Sequence, residues 1–252
     1  MNLKKTSFLL TTLILLSLFG SVQAVSPKTY QDELKIYNTK RSIFVSQRAN
    51  YQHAKNNDNL ILTVNSARDV IIQRSQVLSA YATWLSEMVT ENLVDVPDKQ
   101  AELLAALDGF NAQFQSHMKQ GASIQDTSSL YSSDDNFTLI KQRFDILAYQ
   151  VFTALYSHGL RSKFDTLQNL HTQQGSDILA RASNEVTRTS YQLELDRLAG
   201  VLLSLESQLA DLESTAPKVQ NKQEYDSWKA QADAFLNQLI RSIRDFDQLW
   251  TS

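Results

Sequence analysis

Apolar residues recur along the chain at alternating three- and four-residue steps, a spacing that repeats every seven positions and marks amphipathic helices with coiled-coil-like seams. The first seam reads Tyr30, Leu34, Tyr37, Arg41, Phe44, Arg48, Tyr51 and predicts a helix over about Pro27 to Lys55. A turn at Asn56-Asn57-Asp58 precedes a second helix, about Asn59 to Leu93. Its seam runs Leu60, Val64, Ala67, Ile71, Arg74, Leu78, Tyr81, Leu85, Met88. Asp95-Val96-Pro97 restarts the chain, because proline fits the first turn of a helix. The third helix carries Leu103, Leu107, Phe110 and Phe114 and stops at Gly121.

Gly121 to Asp135, GASIQDTSSLYSSDD, breaks the pattern. Ser and Asp side chains compete for backbone hydrogen bonds and disfavour helix, so this stretch is expected to be a loop. It divides the chain into candidate halves 25–120 and 135–252, with 121–134 between them. Asp134 or Asp135 is the expected cap of a fourth helix with Phe137, Ile140, Phe144, Leu147, Val151, Ala154 and His158 on its seam. After Gly159 the seam moves to Leu160, Phe164, Leu167, Leu170. Two readings fit: a kink at His158-Gly159, or a fresh start with Ser162 and Asp165 as a capping box. Gly175 closes that segment.

The fifth helix is expected over about Ser176 to Ser214, roughly 58 Å at 1.5 Å per residue, which makes it the longest. It has one stripe of Leu179, Ala182, Val186, Thr189, Leu193 and another of Tyr191, Leu195, Leu198, Leu202, Leu205, Leu209, Leu212. The rotation between the stripes implies a change of partner midway. Ala216-Pro217 ends it, and Asn221 with Glu224 is a capping box for a sixth helix with Tyr225, Trp228, Ala232, Phe235, Leu239, Phe246 and Trp250 inward. No strand pattern of comparable quality occurs. The fold class is all-α: an elongated antiparallel bundle of about six long helices, with the two candidate halves each of three helices. Six glycines, three prolines and many good helix formers agree with it.

The N-terminus stands apart. Lys4 and Lys5 precede an apolar run from Phe8 to Phe19, and Val22 and Ala24 place small residues at the −3 and −1 positions of a signal-peptidase site. The run is shorter than the roughly 20 residues a membrane span needs. Residues 1–24 are therefore read as a signal peptide cleaved after Ala24, with an uncleaved anchor as the rival. No cysteine stands near the site, which excludes a lipid-anchored bacterial lipoprotein. Cleavage takes two of the 24 basic residues and none of the 27 acids, so the formal charge moves from −3 to −5. A mildly acidic chain is a poor ligand for nucleic acid or anionic membrane, and no later segment suggests membrane insertion. Zero cysteines in an exported protein leave stability to the core alone.

Candidate chemistry is sparse. The residues three before the four histidines are Asn50, Phe114, Leu155 and Gln168, so no Glu-x-x-His pair is present, nor a His-x-x-x-His. No cofactor or metal is expected. Ser116-His117-Met118-Lys119 fits Ser-x-x-Lys but has no Lys-Thr-Gly partner. Asn136-Phe137-Thr138 is a glycosylation sequon whose Phe137 belongs to a seam. The polar residues in seams are the remaining candidates. Arg74 and His158 interrupt otherwise apolar seams. The bland account has the arginine snorkelling beside a carboxylate or an aromatic ring, and His158 resting against the negative end of its helix. The alternative is a pocket near Arg74 for an anionic ligand. Tyr30, Tyr37, Arg41, Phe44, Arg48 and Tyr51 mix aromatics with arginines and suit an interface. These features favour a secreted or periplasmic non-enzymatic protein with an interaction or structural role at the cell envelope, its partner another envelope protein or a second copy. A small-ligand-binding bundle and an enzyme of unrecognised type are the alternatives.

Overall fold

The computed structural model describes residues 28–251, which excludes the expected signal peptide. Six α-helices and one short 3-10 turn account for nearly all of them. They are α1 (Lys28–His53), α2 (Asn57–Asn92), α3 (Pro97–Ala122), α4 (Thr127–Ala180), α5 (Glu185–Thr215), the turn Ala216–Lys218, and α6 (Lys222–Thr251). No strand occurs among the described residues, and the protein is an all-α helical bundle.

The connections follow from capping chemistry. Asn56 accepts the Asn59 amide at 2.8 Å and starts α2; Asn184 accepts the Thr187 amide at 2.9 Å and starts α5. These bonds satisfy amides that have no carbonyl partner within the helix. Pro97 opens α3 as its sequence predicts. Asn221 accepts the Glu224 amide at 2.9 Å, and the Glu224 carboxylate accepts the Gln220 amide at 2.7 Å, which completes the expected box before α6.

Three expectations are corrected. The Ser- and Asp-rich stretch is mostly helix: α3 runs to Ala122, and α4 begins at Thr127, where Asp126, not Asp134 or Asp135, accepts the Ser129 amide at 2.7 Å. Only residues 123–126 lie outside helix, so the loop expected over 121–134 shrinks to four residues. No restart occurs at Gly159; α4 continues to Ala180, past Gly175. The break lies at residues 181–184, so α5 has 31 residues, about 47 Å. The longest helix is α4, with 54 residues.

The chain forms two compact units, divided at Val151/Phe152 within α4. In residues 28–151, α2 packs against both α1 and α3, and the N-terminal part of α4 joins them. Phe144 of α4 stands edge-on to Tyr81 of α2 at 5.7 Å and to Phe114 of α3 at 5.1 Å. Leu85, Leu107, Phe114 and Phe144 are fully buried there. In residues 152–251, Leu195, Leu198, Leu202, Leu205, Leu209 and Leu212 of α5 form one buried stripe against α6, whose buried face includes Trp228, Ala232, Phe235 and Leu239. Each such leucine contributes about 1.5–3 kcal/mol on burial. The Trp228 indole donates to the Leu212 carbonyl at 3.0 Å, and the Thr153 hydroxyl to the Ala216 carbonyl at 3.2 Å, so the end of α5 keeps no orphan carbonyl at those two positions.

Candidate functional site

The predicted stripe on α1 separates into two columns. Tyr30, Tyr37, Phe44 and Tyr51, seven residues apart, are half-buried, and the Tyr30 ring lies 5.3 Å from Tyr81 of α2. Leu34, Arg41 and Arg48 are exposed. No residue of the 26 in α1 is fully buried. Besides Leu34, α1 exposes Ile36, Ile43 and Val45, at 44%, 51% and 58%. Its polar link to the unit is a buried amide: Gln73 of α2 accepts from the Lys40 ammonium at 2.8 Å and donates to the Glu33 carboxylate at 2.5 Å. Lys40 and Glu33 thereby hold α1 on α2, while Arg41 and Arg48 are exposed beside that face and bind no carboxylate among the described residues.

Arg74 is committed. Its guanidinium pairs with Asp134 of α4 and lies 3.9 Å above the Phe137 ring. Nε and one terminal nitrogen are buried without a hydrogen-bond partner. The carboxylate and the ring are the neighbours expected of a seam arginine, but the head is largely withdrawn from water and leaves no free guanidinium edge in solvent for a ligand. The expected partner is in the Ser/Asp-rich stretch, which reaches Arg74 because that stretch is helix.

Beside it lies a group that the sequence reading passed over. His117 of α3 is buried between α2 and α4. Its Nδ1 lies 2.8 Å from the Ser75 hydroxyl and its Nε2 2.9 Å from the Ser133 carbonyl. A carbonyl only accepts, so Nε2 carries the hydrogen and Nδ1 accepts a hydrogen bond from the Ser75 hydroxyl, which also lies 3.2 Å from the Ile71 carbonyl. Burial pushes the imidazole below its ordinary pKa; the Ser133 carbonyl works in the opposite sense, and nearby Arg74 adds to the lowering. His117 is therefore a neutral core residue at pH 7. The Ser116–Lys119 tetrapeptide sits within α3, where Ser116 is exposed, whereas Ser75 is fully buried and out of reach of a substrate. The seam Leu103, Leu107, Phe110, Phe114 continues in step to His117 and Gly121, which was the available signal. Gly121 is needed for close approach: a Cβ there would stand 3.1 Å from Ile72 Cγ1.

On the outer side of His117, α3 and α4 border a cleft of about 280 Å³ with Gln113, Ser116, Gln120, Asn136 and Arg143 among its lining. The lining contains no carboxylate, and Arg143 forms no ion pair among the described residues. The glycosylation sequon overlaps this wall, and its Phe137 is buried as the seam predicts.

In residues 152–251 the charged groups sit at the margin of a leucine core. Arg161 grips Glu213 through two parallel bonds of 2.9 and 2.7 Å and reaches Glu206 at 2.7 Å. The Glu213 bonds are the main reason its pKa is raised further, with Glu206 adding to them. Tyr156 donates to Asp233 at 2.6 Å, and Lys229 binds the other carboxylate oxygen at 2.6 Å. Burial, reinforced by that carboxylate, raises the phenol pKa; the carboxylate is itself desolvated, yet the Lys229 and Tyr156 bonds lower its pKa overall. His158 is half-buried in the middle of α4, so the expected contact with a helix end does not exist. The Val186 and Leu193 stripe expected to pack is exposed, at 81% and 65%. The companion stripe through Leu195 to Leu212 is buried as expected.

No cluster of three His, Cys, Asp or Glu residues suited to a metal ion occurs among the described residues. No helix among them is long and apolar enough to cross a membrane. Comparison with known proteins brings no match: no family fits the chain, and neither a curated protein nor a solved structure aligns with it.

Proposed function

We propose that this is an exported, non-enzymatic contact protein of the cell envelope that binds other protein through α1. The observation that carries the reading is the state of that helix. Twenty-six residues lie on α2 without one fully buried side chain, and Leu34, Ile36, Ile43 and Val45 remain in water. Arg41 and Arg48 stand on the same side of α1 as Leu34 and Val45, without carboxylate partners among the described residues, so the fitting partner there is apolar with acidic residues beside it. The signal-like sequence of residues 1–24 supports processing after Ala24 and a contact made outside the cytoplasm.

A photo-cross-linker at Val45, used in the native envelope, tests the reading. The expected result is a discrete cross-linked protein band that Arg41→Glu weakens. A chain that cross-links to nothing from Val45 or from Ile43 refutes it. N-terminal mass determination on native material should find Val25 first; an intact Met1 in the membrane fraction refutes the processing.

One observation favours the small-ligand reading: the α3–α4 cleft presents carboxamides, a hydroxyl and one unpaired guanidinium, and no acid. A small carboxylate or phosphate fits that lining. Inorganic phosphate and acetate should each shift the Arg143 side-chain nitrogen resonance and raise the melting temperature, and Arg143→Gln should abolish both effects. An unmoved resonance at millimolar anion rejects this reading.

A further inference from the structure

We propose that the outer face of α1 pairs antiparallel with the outer face of α5 in a second copy of the chain. The inference rests on the contact function assigned to α1 and names its partner. On α1, Leu34, Arg41, Val45 and Arg48 fall within a narrow sector at 100° per residue, beside the column that faces α2. All four are exposed. On α5, Val186, Leu193, Asp196 and Leu203 fall on one side, away from the buried leucines. All four are exposed, Leu203 at 75%. Each helix thus has one stripe committed to its own unit and a second apolar stripe in water.

Charge and spacing select this pairing over others. The 26 residues of α1 carry five Lys and Arg against two acids, and the 31 of α5 carry six acids against two arginines. Of the acids of α5, Glu206 and Glu213 are engaged by Arg161 of α4, and Glu194 by Arg197 of α5 itself. Asp196 binds no cation; its one bond is from the Gln192 amide. Arg41 and Arg48 are the corresponding unengaged cations. Pairing α1 with α1 sets arginines against arginines, and pairing α5 with α5 does the same with carboxylates; both are disfavoured. In the antiparallel register that sets Leu34 on Leu203, Arg41 meets Asp196 and Val45 falls beside Leu193. Leu34 and Val45 are then about 16.5 Å apart and Leu193 and Leu203 about 15 Å, so the two apolar contacts and the ion pair form together. Gly200 lies on the same face of α5, and a Cβ there would touch nothing within 4 Å, so the backbone is open to a neighbour. The contact is heterologous, so it closes a ring or grows a chain.

The test is light scattering and analytical ultracentrifugation of the full mature chain from low to high concentration, at low and at high salt. The expected result is reversible self-association that salt weakens. Arg41→Glu and Asp196→Arg should each weaken it about tenfold, with helical circular dichroism unchanged, and an equimolar mixture of the two variants should recover it through the swapped pair. A chain that stays monomeric throughout overturns the pairing, as does association that neither reversal alters. Monomeric behaviour together with an Arg41-dependent cross-link to a different envelope protein overturns the pairing and leaves the contact function of α1 standing.

Discussion

Residues 28–151 and residues 152–251 use the same helical period and fill it differently. The C-terminal unit buries an unbroken leucine column on α5, and its charged groups, Arg161 with Glu206 and Glu213, sit where water still reaches them. The N-terminal unit buries Gln73, Ser75, Ser79 and His117 among its aromatics and adds the two unpartnered nitrogens of Arg74. The physical reason is the number of neighbours. Helix α2 packs against both α1 and α3, so it buries more of its circumference than one apolar stripe covers, and polar side chains fall inside. They are tolerated because each buried hydroxyl, amide and imidazole finds a partner. The C-terminal unit also buries polar groups, but Thr153, Ser157 and Ser242 are hydroxyls bonded to carbonyls, whereas the N-terminal unit encloses an amide and an imidazole that draw their partners from neighbouring helices.

The largest test of this contrast is truncation at the two core centres. Phe144→Ala should cost about 3–5 kcal/mol and Leu205→Ala about 2–5 kcal/mol, both positions being fully buried. Denaturant melts followed at Trp84 for one unit and at Trp228 for the other should assign each loss to its own unit. Equal movement of both probes by both variants would break the division into two units.

Arginine substitutions come next. Arg74→Ala should destabilise by about 1–3 kcal/mol through lost packing on Phe137, while Arg74→Leu should be near neutral or stabilising, because it removes two buried unpaired donors. Arg161→Ala should cost about 1–2 kcal/mol, since the two glutamates it leaves are partly hydrated, and Arg161→Leu should not recover the loss. Chemical denaturation of the four variants decides; parallel Leu effects at the two sites would remove the distinction between an inner and a marginal arginine.

Gly121→Ala should destabilise by about 1 kcal/mol, because Ile72 must give way at 3.1 Å, whereas Gly159→Ala, with nothing within 4 Å, should stabilise by up to about 1 kcal/mol. The smallest effect is electrostatic. The His117 imidazole has a lowered pKa in the folded state, so the unfolded chain binds its proton more tightly. Stability should be fully present above the ordinary histidine value of about 6.5 and decline as pH falls from there toward the lowered folded value. A His117→Gln variant should lack that part of the decline in melts from pH 8 to 5. An unaltered pH profile would show that His117 is not the buried neutral group.

Most of the architecture was legible in the sequence. The heptad spacing located the buried faces of α3 and α6 and the Leu195–Leu212 stripe of α5, though not the Val186 and Leu193 stripe, and Pro97, Asn221 and Glu224 marked starts that the backbone honours, because capping and proline stereochemistry are local. Local composition misled where tertiary packing outweighed it. The serines and aspartates of 127–135 have low helix propensity, yet Asp134 pairs with Arg74 and Ser133 holds His117, so that stretch is helical. The seam of α4 changes phase earlier than its apolar residues suggest. Thr153 and Ser157 are buried in step with Leu160 and Phe164, and hydroxyls that bond carbonyls carry no apolar signal. Helix existence, facing and caps follow from the order of residues, since each depends on neighbours within a turn or two. Which seam residues are buried, which arginine finds its acid, and which apolar stripes of α1 and α5 stay in water depend on contacts between distant segments, and only the packed structure decides them.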